Sequence, residues 1–196
     1  NSCIFSGYVI KNQRWFFRMI VVFGSIHMDL NLQVKNFPDE GESVKARDYT
    51  MTPGGKGANQ ALAAARMGAK TALIAKVGDD GPGLRAQKVL RRNEVITSGV
   101  SVSDDLPTGM AINVKQTRGE GRTIVATGAN ADISHEQAPA EILHGDNILM
   151  VQMEVPTDQN AIVMKRAQEN GAKIIMNLAP AFEMPQNMLA LTDYLI

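Results

Sequence analysis

Short, fully apolar runs alternate with amphipathic stretches along most of this chain, and the alternation predicts an α/β protein built on a parallel sheet. Ile20-Val21-Val22-Phe23 is the first such run and ends at Gly24. Thr71-Ala72-Leu73-Ile74-Ala75, Ile148-Leu149-Met150-Val151 and Ile174-Ile175-Met176 repeat it, and Tyr194-Leu195-Ile196 opens another. Runs without polar alternation suit central strands covered on both faces. Helix signals fall between them. Ala58 to Met67 is rich in alanine and stops at Gly68, and Leu84 to Arg92 is a second such stretch. Thr157 reads as the cap of a third helix, which runs to Asn170 and ends at Gly171. The expected architecture is a doubly wound, mostly parallel sheet with helices on both faces.

Two stretches break this alternation. Leu30 to Thr52 contains Ser43-Val44-Lys45-Ala46-Arg47, in which polar and apolar residues alternate. Thr108 to Thr127 contains Ala111-Ile112-Asn113-Val114-Lys115, then Gly119-Glu120-Gly121, then Thr123-Ile124-Val125-Ala126, a hairpin signal with a glycine-containing turn. Together they predict a small, half-exposed second sheet standing off the main one, either a lid over a site or a dimer surface. Residues 1–18 follow neither pattern; they read as an upstream extension, or else a short targeting arm, which leaves 19–196 as the folded domain.

Composition narrows the function classes. The 196 residues suit one domain. Lys plus Arg number 20 and Asp plus Glu number 20, so there is no basic excess to suggest a nucleic-acid or anionic-membrane partner. Phosphate ligands stay possible, because backbone amides can hold them. With one cysteine, Cys3, the chain can form no internal disulfide, and a reducing cytoplasm is the expected compartment. His135-Glu136 lacks the second histidine of a zinc motif, so no structural metal site is expected. No apolar run is long enough to cross a membrane. The eleven methionines read as core filler.

The most informative run is Gly54-Gly55-Lys56-Gly57-Ala58-Asn59. Glycines at a strand-to-helix junction let the backbone approach a ligand, and the helix start directs free amides and a positive dipole end at the loop. Lys56 and Asn59 add a cation and an amide, giving a site for hydroxyls or an anion, or else merely a tight turn. Gly57 after Lys56 excludes a P-loop, and Gly24-Ser25-Ile26-His27 excludes a dinucleotide fingerprint. Asp29 follows the first apolar run, Glu154 the third and Asn177 the fourth. In a doubly wound sheet these positions and Asn59 can meet in the crevice at the carboxyl ends of the strands, which suits a polyhydroxyl ligand. Gly78-Asp79-Asp80-Gly81-Pro82-Gly83 reads as a helix-capping turn rather than a phosphate loop. Gly128-Ala129-Asn130-Ala131 either closes over a ligand or simply ends the sheet.

These residues resemble the ribokinase (PfkB-type carbohydrate kinase) family. Gly24-Ser25-Ile26-His27-Met28-Asp29 is similar to its opening strand motif and Pro53 to Asn59 to its first glycine-rich signature. Gly78 to Gly81, Gly128-Ala129-Asn130 and Asn177-Leu178-Ala179-Pro180-Ala181 also match, so the likeness runs from about Met19 to Ile196. The resemblance implies a kinase that transfers phosphate from ATP to the 5-hydroxyl of ribose, with Mg2+ and K+ as ions and a β lid that mediates homodimerisation. It implies a sugar site formed by His27, Asp29, Gly54, Gly55, Lys56, Asn59 and Glu154, with Ala111, Asn130 and Asn177 at the lid or crevice. His27 stands where the family usually carries an asparagine, and an imidazole cannot offer an amide's paired donor and acceptor; fructokinase-like and adenosine kinase-like activities are the alternatives within the family. The family's Asn-Glu motif, Gly-Ala-Gly-Asp motif, ATP segment and cation site are expected beyond Ile196. No residue here is therefore nominated as catalytic base, and this chain alone is expected to be inactive.

Overall fold

The computed structural model describes residues 19–117, 119–181 and 185–196; the extension expected over 1–18 lies outside the described residues. In chain order the elements are β1 (Met19–Phe23), β2 (His27–Val34), β3 (Asp48–Gly54), α1 (Lys56–Arg66), β4 (Thr71–Gly78), α2 (Gly81–Arg92), β5 (Ile96–Ser103), β6 (Gly109–Gln116), β7 (Gly121–Ala126), β8 (Asn147–Gln152), α3 (Thr157–Glu169), β9 (Lys173–Asn177), α4 (Gln186–Leu191) and β10 (Tyr194–Leu195). Short 3-10 turns connect β7 to β8.

The apolar runs form a six-stranded sheet in the order β10-β9-β8-β1-β4-β5, and every neighbouring pair is parallel. One buried cluster joins Val22, Leu73, Ala75 and Val77 to Ala58 and Ala61 of α1 and to Ala86 and Leu90 of α2. The other joins Val21, Phe23, Leu149 and Val151 to Val163, Met164 and Ala167 of α3 and to Met188 of α4. Successive residues of β1 thus bury into opposite layers, which is why its sequence shows no alternation. Met28, Met153, Met164, Met176 and Met188 are core, as expected, whereas Met67 is 87% exposed at the end of α1.

Strand order reverses beside β1: β4 lies on one side and β8 on the other. The carboxyl ends of β1 and β8 therefore border the crevice where doubly wound sheets hold ligands. The second sheet, in the order β3-β2-β6-β7, stands at that edge. It is mixed, with β2 antiparallel to β3 and parallel to β6, and β6 antiparallel to β7.

Three local expectations need correction. Ser43 to Arg47 is not a strand; the partner of β2 is β3, and residues 43–47 are all exposed. Alternation means little where neither face is covered. Thr157 is the first helical residue of α3, and Pro156 stands at the cap position without a side-chain hydrogen bond. The proline ring pre-sets the entering backbone, so no hydroxyl is needed there. β5 was not foreseen. It is an edge strand rich in serine, its pairing with β4 shifts register between Ala72 and Ile74, and its burial is patchy.

Candidate functional site

Gly55 sits at φ 94°, a left-handed conformation open to glycine, and caps α1. A Cβ on Gly55 would lie 2.8 Å from the His27 amide nitrogen, and one on Gly57 2.5 Å from that of Ser25. The two glycines let the start of α1 press against the turn at 24–26 between β1 and β2.

That contact changes what the helix start can do. The Lys56 amide donates to Glu154 Oε2 at 2.7 Å, the Gly57 amide to Ser25 Oγ at 3.3 Å, and the Ala58 amide to the Ser25 carbonyl at 2.9 Å. Ser25 Oγ in turn donates to Glu154 Oε2 at 2.6 Å. The expectation of free amides aimed at the loop is thus overturned. The first-turn donors are spent on the protein itself, and the positive helix end already faces the carboxylate of Glu154. An external anion would meet that charge, so the loop suits hydroxyl groups rather than phosphate.

His27, Asp29, Gly55, Lys56, Asn59, Ala111, Asn113, Thr123, Val125, Glu154 and Pro180 line a cavity of about 340 Å³. The second sheet supplies its wall by simple alternation. His27 and Asp29 of β2, Ala111 and Asn113 of β6, and Thr123 and Val125 of β7 lie two apart on their strands, and Asp29 pairs with Ala111 and Ala111 with Val125. A second cavity of about 610 Å³ adjoins it and shares His27, Val125, Glu154 and Pro180; Met153, Val155 and Pro156 make it more apolar.

The charges are packed closely. Glu154 Oε1 lies 3.7 Å from Lys56 Nζ, and Oε2 lies 3.7 Å from His27 Nδ1. His27 is 3% exposed, and its Nε2 is buried without a hydrogen-bond partner. Burial lowers the His27 pKa; Glu154 and Asp29 oppose that shift and Lys56 adds to it. Burial raises the Asp29 carboxyl above its usual value, and the Glu154 charge adds to the rise while His27 offsets part of it. The wall thus presents an imidazole, two carboxylates, an ammonium and two amides, a set able to donate to and accept from several hydroxyls at once.

The other expected positions fall elsewhere. Gly54 is buried beside the Asp29 carboxylate, and any side chain there would collide with it. Asn177 ends β9, paired with Gln152, and does not line either cavity. Asn130 is fully buried against Ile26 and does not line them either. Ser25, Asn113, Thr123, Val125 and Pro180 were not assigned to the site from sequence. The period of the hairpin places 113, 123 and 125 on the face of Ala111, so that signal was present; Ser25 and Pro180 lie within the two family-like motifs at 24–29 and 177–181, but nothing in the sequence gave either a place in the cavity wall.

A family model described as pfkB family carbohydrate kinase matches residues 18–196. The chain belongs to this family. Curated pfkB-family relatives include ribokinases of Haemophilus influenzae, 34% identical over 179 residues covering 90% of this chain and 58% of the relative, and of Bacillus subtilis, 34% identical over 180 residues covering 91% and 61%. The chain therefore spans about 60% of the length of these relatives. Among solved structures, a ribokinase from Thermotoga maritima superposes with a TM-score of 0.82 at 31% identity, covering 90% of this chain and 58% of that one. An Arabidopsis thaliana ribokinase complexed with ribose and ATP gives 0.82 at 28%, with the same coverage.

Proposed function

We propose that this chain forms the sugar-holding part of an ATP-dependent kinase that phosphorylates D-ribose at its 5-hydroxyl. The observation that carries the reading is the spent N-terminus of α1. Its donors and dipole are satisfied by Glu154 and Ser25, which leaves a small cavity of mixed donors and acceptors suited to a polyol. His27, Asp29, Gly55, Lys56, Asn59 and Glu154 are assigned to the sugar, Ala111 to the wall that covers it, and Gly54 to the close approach that positions Asp29. The names of the relatives, and the ribose and ATP of the Arabidopsis structure, favour ribose and ATP over other pairs.

The family reading brings Mg2+ and K+ with ATP. Among the described residues no group of three or more His, Cys, Asp or Glu side chains is placed to hold a metal ion, so no residue of this chain is assigned to Mg2+. The second sheet is also read as a homodimer surface. Its outer strand β7 is exposed along its length, with Ile124 at 65%, and Tyr49 of β3 is 64% exposed. No described helix is long and apolar enough to cross a membrane, and the cytoplasm is the proposed compartment.

Calorimetric titration tests the sugar assignment. Ribose should bind the chain, fructose and adenosine more weakly, and Asp29→Ala should cost roughly 1.5–3 kcal/mol of binding, the scale of a hydrogen bond to a charged group. Preference for adenosine or fructose would move the chain elsewhere in its family. An unchanged affinity in Asp29→Ala would remove that residue from the site.

A further inference from the structure

Two sequence motifs are left unused by the sugar cavity, Gly78 to Gly81 and Gly128 to Asn130. Both meet the second sheet where it joins the main body. The chain passes between the two sheets at 24–26, at Gly55, at 104–108 and at Thr127. Asn130 spans the first and last of these. Its Oδ1 accepts from the Ile26 amide at 2.9 Å, and its Nδ2 donates to the Ile26 carbonyl at 2.8 Å and to the Thr127 carbonyl at 3.0 Å. The side chain is 0% exposed, so no water competes for these bonds. The Ala129 amide donates to the Pro107 carbonyl at 2.8 Å, which ties the last crossing to the third.

Asp80 fastens that third crossing to the main sheet. Its Oδ1 accepts from the Gly83 amide at 2.8 Å, capping α2, and from Thr108 Oγ1 at 2.6 Å. Its Oδ2 accepts from the Thr108 amide at 2.8 Å, while Thr108 Oγ1 accepts from the Gly78 amide at 3.0 Å. The next residue, Gly109, begins β6 and pairs with His27.

We infer that Asn130 and the Asp80–Thr108 pair are positioning residues that together fix the angle at which the second sheet stands over the crevice. None of these three side chains lines the cavities. Both clamps hold backbone at the roots of β2 and β6, the strands that carry His27, Asp29 and Ala111. A small rotation at these roots displaces the far ends of the strands, so the clamps set the width of the cavity. Freeing one clamp leaves the strands paired but lets the sheet rock.

Spin labels at Leu84→Cys on α2 and Ile124→Cys on β7, in a chain carrying Cys3→Ser and diluted with excess unlabelled chain so that a homodimer holds one labelled copy, read the separation of the two bodies by pulsed electron resonance. Both sites are well exposed, at 66% and 65%. The otherwise unaltered chain should give one narrow distance. Thr108→Val, which removes the hydroxyl at constant shape, and Asn130→Ala should broaden or shift it, and Thr108→Ser, which keeps the hydroxyl, should restore it. A merely structural role would lower the melting temperature and leave the distance unchanged. Cooperatively folded Thr108→Val with the original distance overturns the inference even if Asn130→Ala does not fold, and a broad distribution without either substitution overturns it outright. Ribose affinity should fall roughly tenfold in Thr108→Val, a misplacement effect. That arm rests on the proposed sugar site, whereas the distance arm does not; failure of ribose to bind the unaltered chain would count against the sugar reading alone.

Discussion

Glu154 is the residue on which the crevice depends. A single carboxylate oxygen, Oε2, accepts from Ser25 Oγ and from the Lys56 amide, so it joins the end of β8 to the turn after β1 and to the start of α1. Glu154→Gln keeps the shape but turns a charged acceptor into a weaker one and adds donors facing donors. It should destabilise the fold by about 1–3 kcal/mol, because partly buried groups lose charge-assisted bonds. Urea unfolding measures this, and an unaltered midpoint would contradict the three-way role. Asp29 should behave in the opposite sense. Its carboxyl is raised from the usual 3.8, chiefly by burial, so the folded state disfavours its charge. Stability is lost as pH rises from that usual value through the raised folded one. Asp29→Asn escapes this loss, and its advantage over the wild type in thermal melts should grow across that window and then level off. The same substitution should weaken sugar binding, the expected conflict between stability and function.

At the scale of elements, the glycines of α1 outweigh its helix propensity. Gly57→Ala would normally stabilise a helix by about 1 kcal/mol. Here its Cβ would lie 2.5 Å from the Ser25 amide nitrogen, against backbone that cannot yield cheaply. Overpacking of this kind costs about 1–3 kcal/mol, so the substitution should destabilise in chemical unfolding and displace Ser25 from Glu154. The cap of α2 gives an acid-side test. Burial alone would raise the Asp80 carboxyl, but hydrogen bonds from Thr108 and Gly83 outweigh it and hold the group below the usual 3.8. Its contribution is therefore present above that value and lost as pH falls through the lower folded one. The stability gap between wild type and Asp80→Ala should narrow as the solution is acidified through that range, and a gap independent of pH would contradict the clamp.

The central strands were legible because two-sided burial leaves an unbroken apolar run, as in Ile20 to Phe23. The hairpin at Ala111 to Ala126 was legible from its alternation and its glycine-containing turn, although β7 is exposed along its length. The edge strand β5 and the exposed stretch at 43–47 were not. β5 carries serines and a register shift, and the exposed 43–47 alternates without forming a strand. Within the site, the sequence indicated which residues share the crevice edge but not which of their atoms were already taken. The loop at Gly54 to Asn59 offered hydroxyls and anions equally until the Ser25 and Glu154 contacts closed the second option.

At the scale of the whole molecule, a doubly wound sheet opens a crevice beside β1 and β8, and a second sheet stands over it. Residues far apart in sequence, such as Asp29, Ala111 and Glu154, meet there because the crossings between the sheets bring β2 and β6 to the carboxyl ends of the parallel strands. The central claim is that this crevice holds a sugar through its hydroxyls. Titration of ribose followed by backbone amide resonances tests it most directly. The account predicts saturable shifts concentrated at Asp29, Gly55, Lys56, Asn59, Ala111 and Glu154, with inorganic phosphate producing none there. Shifts at those amides with phosphate but not with ribose, or ribose shifts confined to other faces of the molecule, would contradict it.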